Sequence, residues 1–214
     1  DGKLAMLDMA KAASKRGLKV IVFSDHSVSL GVTNGLSIER HKQQAAEIKK
    51  IQKGLGDQIT ILHSSEVEIK ADGSLDYPDD FLASLDLVVA SLHSSLRQPR
   101  EKITAGLLKA VNNPHVDIIG HPTGREIPDR EGADLDMEVI LQAAAKSGVA
   151  MEISASPYRL DLDDPHARRA RELGVLLSIN TDAHSEEDYD MLHYGVAIAR
   201  RAGILKEDVI NCWS

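Results

Sequence analysis

The chain has little cysteine and no long apolar run. Cys212 is the single cysteine in 214 residues, which excludes an internal disulfide and a thiolate metal cluster. Any metal ligands must therefore be nitrogen or oxygen atoms. The longest apolar stretches are strand-sized, and no basic segment followed by a signal-like apolar region opens the sequence. We expect a soluble, cytoplasmic protein without a membrane partner.

Positive charge is also scarce. Lys and Arg total 25 against 33 Asp and Glu, which gives a formal net charge of −8. A surface of this sign does not attract nucleic acid broadly, so any polyanion must be bound locally by metals and a few arginines. Glycine-rich phosphate loops of the dinucleotide or nucleoside-triphosphate kind are missing. The sequence therefore predicts no nucleotide-cofactor site.

The chain does contain six short runs rich in Val, Ile and Leu, each followed by a stretch of helical period. Such runs are typical of buried strands. They cover Leu18–Phe23, Ile59–Ile69, Leu87–Leu92, Val116–Gly120, Val149–Ile153 and Val175–Asn180. An acidic or imidazole side chain lies at or near the end of every run: Asp25 with His26, Glu66, His93, His121, Glu152, and Asp182 with His184.

This alternation predicts an α/β fold with a parallel sheet. We favour a TIM-like barrel because ligand-type residues follow every strand, whereas an open doubly wound sheet concentrates its site at one switch point. The sequence opens on a helix, Lys3–Arg16, with no strand before it. We therefore expect residues 1–214 to form one domain whose first strand is missing from this chain.

The polar residues at the strand ends predict a multinuclear metal centre. Gathering several His, Asp and Glu side chains at one barrel mouth is costly in self-repulsion and desolvation unless a cation lies among them. Glu66, His93 and His121 would form a mixed imidazole and carboxylate site that suits Zn, Mn or Fe.

Two further pairs are candidates for the same centre. Asp182 and His184 lie two residues apart at a strand end, so both can project to one side as ligands. Asp25 and His26 are either a structural pair or part of the centre. We place His26 with the metal ligands and Asp25 with the catalytic residues.

Other polar residues receive a structural interpretation. His63 lies on the opposite face of its strand from Glu66, and Glu68, which shares the face of Glu66, weakens the inference from that residue. Glu152 could be an acceptor for a ligand histidine, and we leave it out of the metal ligands. The remaining histidines are interpreted as surface residues: His41, His115, His166 and His193.

Three arginines follow the candidate ligands closely, namely Arg97, Arg125 and Arg159. Guanidinium groups bind phosphate oxygens through two parallel hydrogen bonds, so this repetition suits an anionic phosphoester substrate. The alternative is a solvated rim, because exposed arginine is common. We include all three among the candidate catalytic residues.

Five segments of the chain carry its most specific motifs: DHSVSLGVTNGL at 25–36, SEVEI at 65–69, ASLHS at 90–94, NPHVDIIGHPTGR at 113–125 and NTDAHS at 180–185. Together they resemble the PHP (polymerase and histidinol phosphatase) domain, in the version found at the C-terminal end of bacterial and archaeal family X DNA polymerases. The resemblance implies a distorted seven-stranded barrel with three metal ions at its mouth. It also implies manganese-stimulated phosphodiester hydrolysis, in the polymerase branch a 3′-to-5′ exonuclease.

The resemblance also implies how the ligands are shared. Glu66, His93 and His121 match one complete metal site, with Glu66 as the bridging ligand. A second site would use His26, His184 and Asp1. The remaining site needs Glu66, Asp182 and a His-x-His pair on the first strand, which this sequence lacks. That departure agrees with a chain that starts one strand late.

We therefore expect metal-assisted hydrolysis of a phosphoester. Mn or Zn ions would hold the phosphate oxygens, turn a bound water into the nucleophile and stabilise the leaving oxygen. The substrate would be a DNA 3′ end, with a polymerase domain preceding this chain. Two alternatives stay open: a small-molecule phosphatase similar to the histidinol-phosphate enzymes, and a non-catalytic scaffold that supports a polymerase or binds DNA.

Overall fold

A computed structural model describes residues 2–213, except for the side chain of Val32. Within this range six strands, β1 to β6, span Val20–His26, Thr60–Glu68, Leu87–Ser91, Ile118–Gly120, Ala150–Ser154 and Leu177–Asn180. In the same range seven α-helices, α1 to α7, span Met6–Lys15, Ile38–Leu55, Asp79–Leu82, Arg100–Val111, Met137–Ser147, Asp164–Glu172 and Leu192–Ala202.

All described strands are parallel and pair in sequence order from β1 to β6. The sheet curls into a half-barrel whose edges are β1 and β6, with a helix between each strand and the next. The predicted α/β, TIM-like fold is thus confirmed. A seventh strand stays a prediction.

The two faces of the sheet differ in chemistry. The outer face packs against the helices through residues such as Val67, Ile119 and Met151, each 0% exposed. Burying one such aliphatic side chain contributes about 1.5–3 kcal/mol. The inner face instead carries small polar residues. A Cβ added at Gly120 would lie 2.4 Å from Ser91 Oγ, so the curl of the sheet leaves no room for a larger residue there.

Local sequence sets where several helices begin and end. The side chains of Ser37, Asp136 and Asp163 accept hydrogen bonds from the backbone N–H three residues later, which satisfies a free donor at the start of α2, α5 and α6. Gly148 and Gly203 end α5 and α7 with φ values of 79° and 76°, a conformation that glycine adopts without a steric penalty.

Two sequence expectations need correction. The first run was expected to deliver Asp25 and His26 together where the strand meets its loop, but both residues lie within β1. They are therefore neighbours in a strand and point to opposite faces. His41 is not a surface residue. It lies on α2 and is 0% exposed, because α2 presses it against the outer face of the sheet. Among residues 2–213, no helix combines the length and apolar character needed to cross a membrane.

Candidate metal centre

Three imidazole rings converge on the carboxylate of Glu66. Glu66 Oε1 lies 2.9 Å from His121 Nε2 and 3.2 Å from His93 Nε2. Glu66 Oε2 lies 3.2 Å from His26 Nδ1. The carboxylate is 8% exposed, and His121 is 3% exposed. The structure therefore brings together four of the residues that the sequence suggested as ligands.

Parallel pairing explains why these four residues meet. His26 at the end of β1 is directly opposite Glu66 near the end of β2. β3 ends at Ser91, two residues before His93, and β4 ends at Gly120, one residue before His121. Carboxyl ends of parallel strands share one rim of the sheet. His121 turns onto that rim with a φ of 26°, a backbone value that is uncommon for a residue with a side chain and occurs often at functional sites.

The electrostatics of the cluster are dominated by the buried carboxylate. Burial alone would raise the pKa of Glu66, but the contacts with His121 and His93 outweigh it and hold that pKa well below the usual value. Burial would lower the pKa of His93, yet Glu66 and Glu68 raise it to about 9. For His26 burial prevails and lowers the pKa. The site thus keeps a buried carboxylate ionised among imidazole rings, and such a carboxylate can bind a cation.

The donor set fits a divalent metal ion. His26, Glu66 and His93 each offer one ligand atom, and these atoms lie within 4.8 Å of one another. Among the described residues, His121 Nδ1 is buried without a hydrogen-bond partner, although such atoms are normally paired. Imidazole nitrogen together with carboxylate oxygen suits Zn or Mn.

Glu68 is a functional residue that sequence reasoning missed. Its Oε2 lies 2.8 Å from His93 Nδ1, and its Oε1 accepts hydrogen bonds from the Ser94 backbone N–H at 3.0 Å and from Ser94 Oγ at 2.5 Å. A carboxylate on the far nitrogen of a ligand histidine fixes the orientation of the ring and raises its basicity. The available signal was its position two residues after Glu66, on the same face of β2.

Glu152 contacts the backbone of a candidate ligand rather than an imidazole. Its Oε2 accepts from the His121 N–H at 2.6 Å, and its Oε1 accepts from Asn180 Nδ2 at 2.8 Å. Burial raises the pKa of Glu152 to about 7. The expected acceptor role is thus directed at the main chain, where it holds the turn that carries His121.

Asp182 and His184 lie at the end of β6, and their charges act on His26 across the mouth. His184 Nδ1 lies 2.7 Å from the backbone oxygen of Asp182 and 3.8 Å from its Oδ1. Their side chains are 39% and 33% exposed, respectively, so they are more open to solvent than the Glu66 cluster. Asp1, the third expected ligand on this side, lies outside the described residues.

Asp25 faces away from this cluster. Its Oδ2 accepts a hydrogen bond from Gln44 Nε2 of α2 at 2.5 Å, on the outer side of β1. The carboxylate therefore ties α2 to the sheet and has no access to the reacting atoms. The expectation that Asp25 is a catalytic residue does not fit this position, because strand alternation sends it to the opposite face from His26.

The three arginines occupy different positions. Arg125 Nε donates to the Arg159 carbonyl at 2.7 Å, and its Nη2 donates to the Leu160 carbonyl, so Arg125 holds two loops together rather than facing substrate. Arg159 Nη2 lies 3.4 Å from Glu126 Oε1, and its charge reaches His121. Arg97 is exposed on the loop after β3. Arg159 Nη1 also donates to the Arg125 carbonyl at 3.4 Å, and of the three arginines Arg159 is the one whose charge acts on a candidate metal ligand other than through the backbone.

An open cleft lies beside His93. It encloses about 250 Å³ and is lined by Ser29, Leu30, Glu68, Lys70, Ala71, Ser94 and Ser95. Hydroxyl and ammonium groups in this lining are typical partners of sugar and phosphate oxygens. The cleft extends the mouth of the half-barrel along the surface instead of closing over it.

Comparisons with known proteins agree with this fold. No protein-family model matches the chain. The chain is 44% identical, over 100% of its length, to the DNA polymerase/3′-5′ exonuclease PolX of Bacillus subtilis, of which it spans 37%. It is 30% identical, over 94% of its length, to a probable phosphatase of Thermoanaerobacter sp. (strain X514), of which it covers 81%.

A solved structure has the same fold at low sequence identity. The histidinol phosphate phosphatase of Lactococcus lactis, crystallised with zinc, L-histidinol and phosphate, superimposes with a TM-score of 0.67 at 20% identity. The match covers 96% of this chain and 90% of that protein. Fold and relatives together define the class of protein, a phosphoesterase built on a TIM-like half-barrel. The chain belongs to the PHP family, together with the probable phosphatase of Thermoanaerobacter and the corresponding part of the Bacillus polymerase.

Proposed function

We propose that this chain is a metal-dependent phosphoesterase that trims DNA from the 3′ end, as the PHP domain of a family X DNA polymerase. The observation that carries the proposal is the convergence of His26, His93 and His121 on one buried carboxylate, Glu66. The choice of DNA is supported by 44% identity along the whole chain to a protein named as a polymerase and 3′-5′ exonuclease.

Each residue of the centre has a distinct role in this proposal. Glu66, His26, His93 and His121 hold the metal, and Asp182 with His184 adds ligands from β6. Bound divalent ions supply Lewis-acid stabilisation of the phosphate oxygens and an activated water at neutral pH. Glu68 keeps the His93 ring in its ligating orientation through the 2.8 Å contact.

The groups around the centre bind and orient the substrate. Arg159 is the candidate partner for phosphate oxygens, since a guanidinium recognises them with two hydrogen bonds. Lys70 and Ser94 line the cleft beside His93 and would contact the sugar-phosphate chain that leads away from the cleaved bond. Holding the strand in this way converts binding energy into correct placement of the scissile phosphate.

A small-molecule phosphatase is the second candidate. It is supported by the 81% coverage of a probable phosphatase at 30% identity. An enclosed pocket would suit a single monoester, whereas the cleft beside His93 is open along the surface. We therefore rank the polynucleotide substrate first.

One assay separates these functions. The full chain is supplied with Mn²⁺ or Zn²⁺ and given either 5′-labelled single-stranded DNA or p-nitrophenyl phosphate. Stepwise shortening of the DNA supports the exonuclease, and release of phosphate from the monoester alone supports the phosphatase. Bound metal without turnover of either substrate contradicts both and leaves the scaffold function.

A further inference from the structure

Tyr158 is unusually exposed for an aromatic residue of this chain. The sequence contains only four Tyr, two Phe and one Trp. Tyr77 and Phe81 are 5% and 8% exposed in the core, whereas Tyr158 is 67% exposed, the highest value among the large hydrophobic residues. Leaving a ring in water forfeits the favourable free energy of burying it. An exposed ring at a fixed position is therefore available for a ligand.

The loop that carries Tyr158 is tied to its neighbour. The Tyr158 carbonyl accepts a hydrogen bond from the Ile127 N–H at 2.6 Å. One residue further on, the Arg159 carbonyl accepts from Arg125 Nε at 2.7 Å. These bonds join the loop after β5 to the loop after β4, so the backbone of Tyr158 is held in place. Ile127 is itself 42% exposed and adds apolar surface beside the tyrosine.

Both loops leave the rim that holds the metal centre. The loop after β4 begins with His121, a candidate ligand, and the loop after β5 follows Ser154. Arg159 connects the loop after β5 with the metal centre, because it follows Tyr158 directly in sequence and its charge acts on His121. The side chain of Arg159 is 16% exposed. The loop that leaves the rim after β5 thus carries both an arginine whose charge acts on His121 and an exposed aromatic ring.

We infer that Tyr158, with Ile127 beside it, is a stacking platform for a nucleobase close to the 3′ end of single-stranded DNA, while Arg159 meets the neighbouring phosphate. Aromatic rings combined with basic groups are the usual means of binding single strands without base preference, because every base has a π-face. The inference rests on the proposed function and deepens it, since the platform selects polynucleotides over small monoesters.

Steady-state kinetics with matched oligonucleotides test the platform. One oligonucleotide carries bases throughout, and the other has abasic residues at its three 3′-terminal positions. We expect Tyr158→Ala to raise KM for the first by about tenfold, in line with the loss of one stacked base, and to leave kcat and the KM for the abasic oligonucleotide unchanged. Tyr158→Phe retains the ring and should behave as the unmodified chain. Tyr194→Ala removes a tyrosine that is 41% exposed on α7 and serves as the matched control.

A binding readout keeps the test independent of turnover. 2-Aminopurine at the 3′-terminal positions loses fluorescence when it stacks on an aromatic ring, so quenching by the unmodified chain and its loss in Tyr158→Ala support the platform. An unchanged KM and unchanged quenching in Tyr158→Ala overturn it. Equal losses on both oligonucleotides also overturn it, because they indicate a structural role. Tyr158-dependent quenching without hydrolysis of DNA contradicts the proposed function alone.

Discussion

Two histidine clusters lie on opposite faces of β2, and they differ in almost every property. On the inner face, His26, His93 and His121 surround the carboxylate of Glu66. On the outer face, His41 Nδ1 lies 3.3 Å from His63 Nε2. The ring of His41 packs at 5.6 Å from Tyr77 and at 5.3 Å from Phe81, measured between ring centroids.

The presence of a central carboxylate explains the difference. Although burial opposes it, the pKa of His93 is raised to about 9 by Glu66 and Glu68. The pKa of His41 is lowered to about 4, mainly by burial and then by His63. Buried imidazoles around an acid favour positive charge, whereas buried imidazoles among rings exclude it. In this chain, the acidic group at its centre distinguishes the cluster that fits a metal ion from the one that does not.

The largest effect should come from removing that carboxylate. Glu66→Gln keeps the size of the side chain but removes its charge, and we expect metal affinity to fall by more than about 100-fold. Replacing a residue that only hydrogen-bonds to a metal ligand already lowers metal affinity by about 10–100-fold. Equilibrium dialysis followed by elemental analysis measures the bound metal. Glu138→Gln alters an exposed carboxylate on α5 and should bind metal as before. Full metal content in Glu66→Gln would remove the basis of the metal centre.

Replacing one histidine from each cluster, in separate variants, tests whether only the inner cluster binds metal. His93→Ala should lower metal affinity by about tenfold or more. Losing a nitrogen that binds the metal should weaken binding at least as much as losing a residue that only hydrogen-bonds to a ligand. His63→Ala should leave metal content unchanged, since its ring lies on the outer face against His41. The same dialysis measurement applies. Equal metal loss in both variants would show that the two faces are not functionally distinct.

Glu68→Gln should give a smaller loss. The amide can still contact His93 Nδ1 but no longer provides the negative charge that raises its basicity, so metal affinity should fall by about tenfold. Glu68 is a positioning residue, and its effect should appear as weaker metal binding that excess Mn²⁺ restores. If kcat at saturating Mn²⁺ fell as strongly as in Glu66→Gln, Glu68 would instead be a ligand.

The outer cluster should affect stability rather than metal binding, and its effect should appear only at acidic pH. Because the folded pKa of His41 is about 4 and its ordinary value is 6.5, the unfolded chain binds the proton first. The stabilisation is therefore complete above pH 6.5 and lost as the pH falls towards 4. The charged groups that face His41 are His63 and Arg40, which favour the neutral ring, and Asp25, which opposes them.

Urea unfolding at two pH values measures this contribution. Between pH 7 and pH 5 the unmodified chain should lose about 2 kcal/mol more unfolding free energy than His41→Phe, which retains an aromatic ring but cannot titrate. The pH dependence of the difference isolates His41 from the other ionisable groups. Parallel losses in the two proteins would show that His41 titrates normally in the folded state.

Much of the fold was predictable from the sequence, because strand and helix periodicities are local properties. The alternation of apolar runs with helical stretches gave the parallel order, and the polar residue after each run located the rim where Glu66, His93 and His121 meet. The face of a strand residue also follows from alternation once the strand limits are correct. Asp25 was misplaced because it was grouped with His26 at the strand end, whereas both residues lie within β1 and alternation sends them to opposite faces.

The remaining errors concern contacts between distant segments. Glu68 was not counted among the functional residues because its partner, His93, is 25 residues away in sequence and their contact forms only in the fold. Arg125 was expected to bind phosphate, yet it donates to carbonyl groups of the loop after β5. His41 was expected on the surface because it lies on a predicted helix rather than at a strand end, and only the packing of α2 on the sheet buries it.

The amino-acid sequence alone determined which side chains reach the rim, since strand length and alternation depend on neighbours along the chain. Only the tertiary structure decided that three histidines share the carboxylate of Glu66 and that Glu68 orients one of them. It also decided that Asp25 faces helix α2. The physical reason is that hydrogen bonds, burial and charge act through space, and the curl of the sheet sets those distances after the strands have formed.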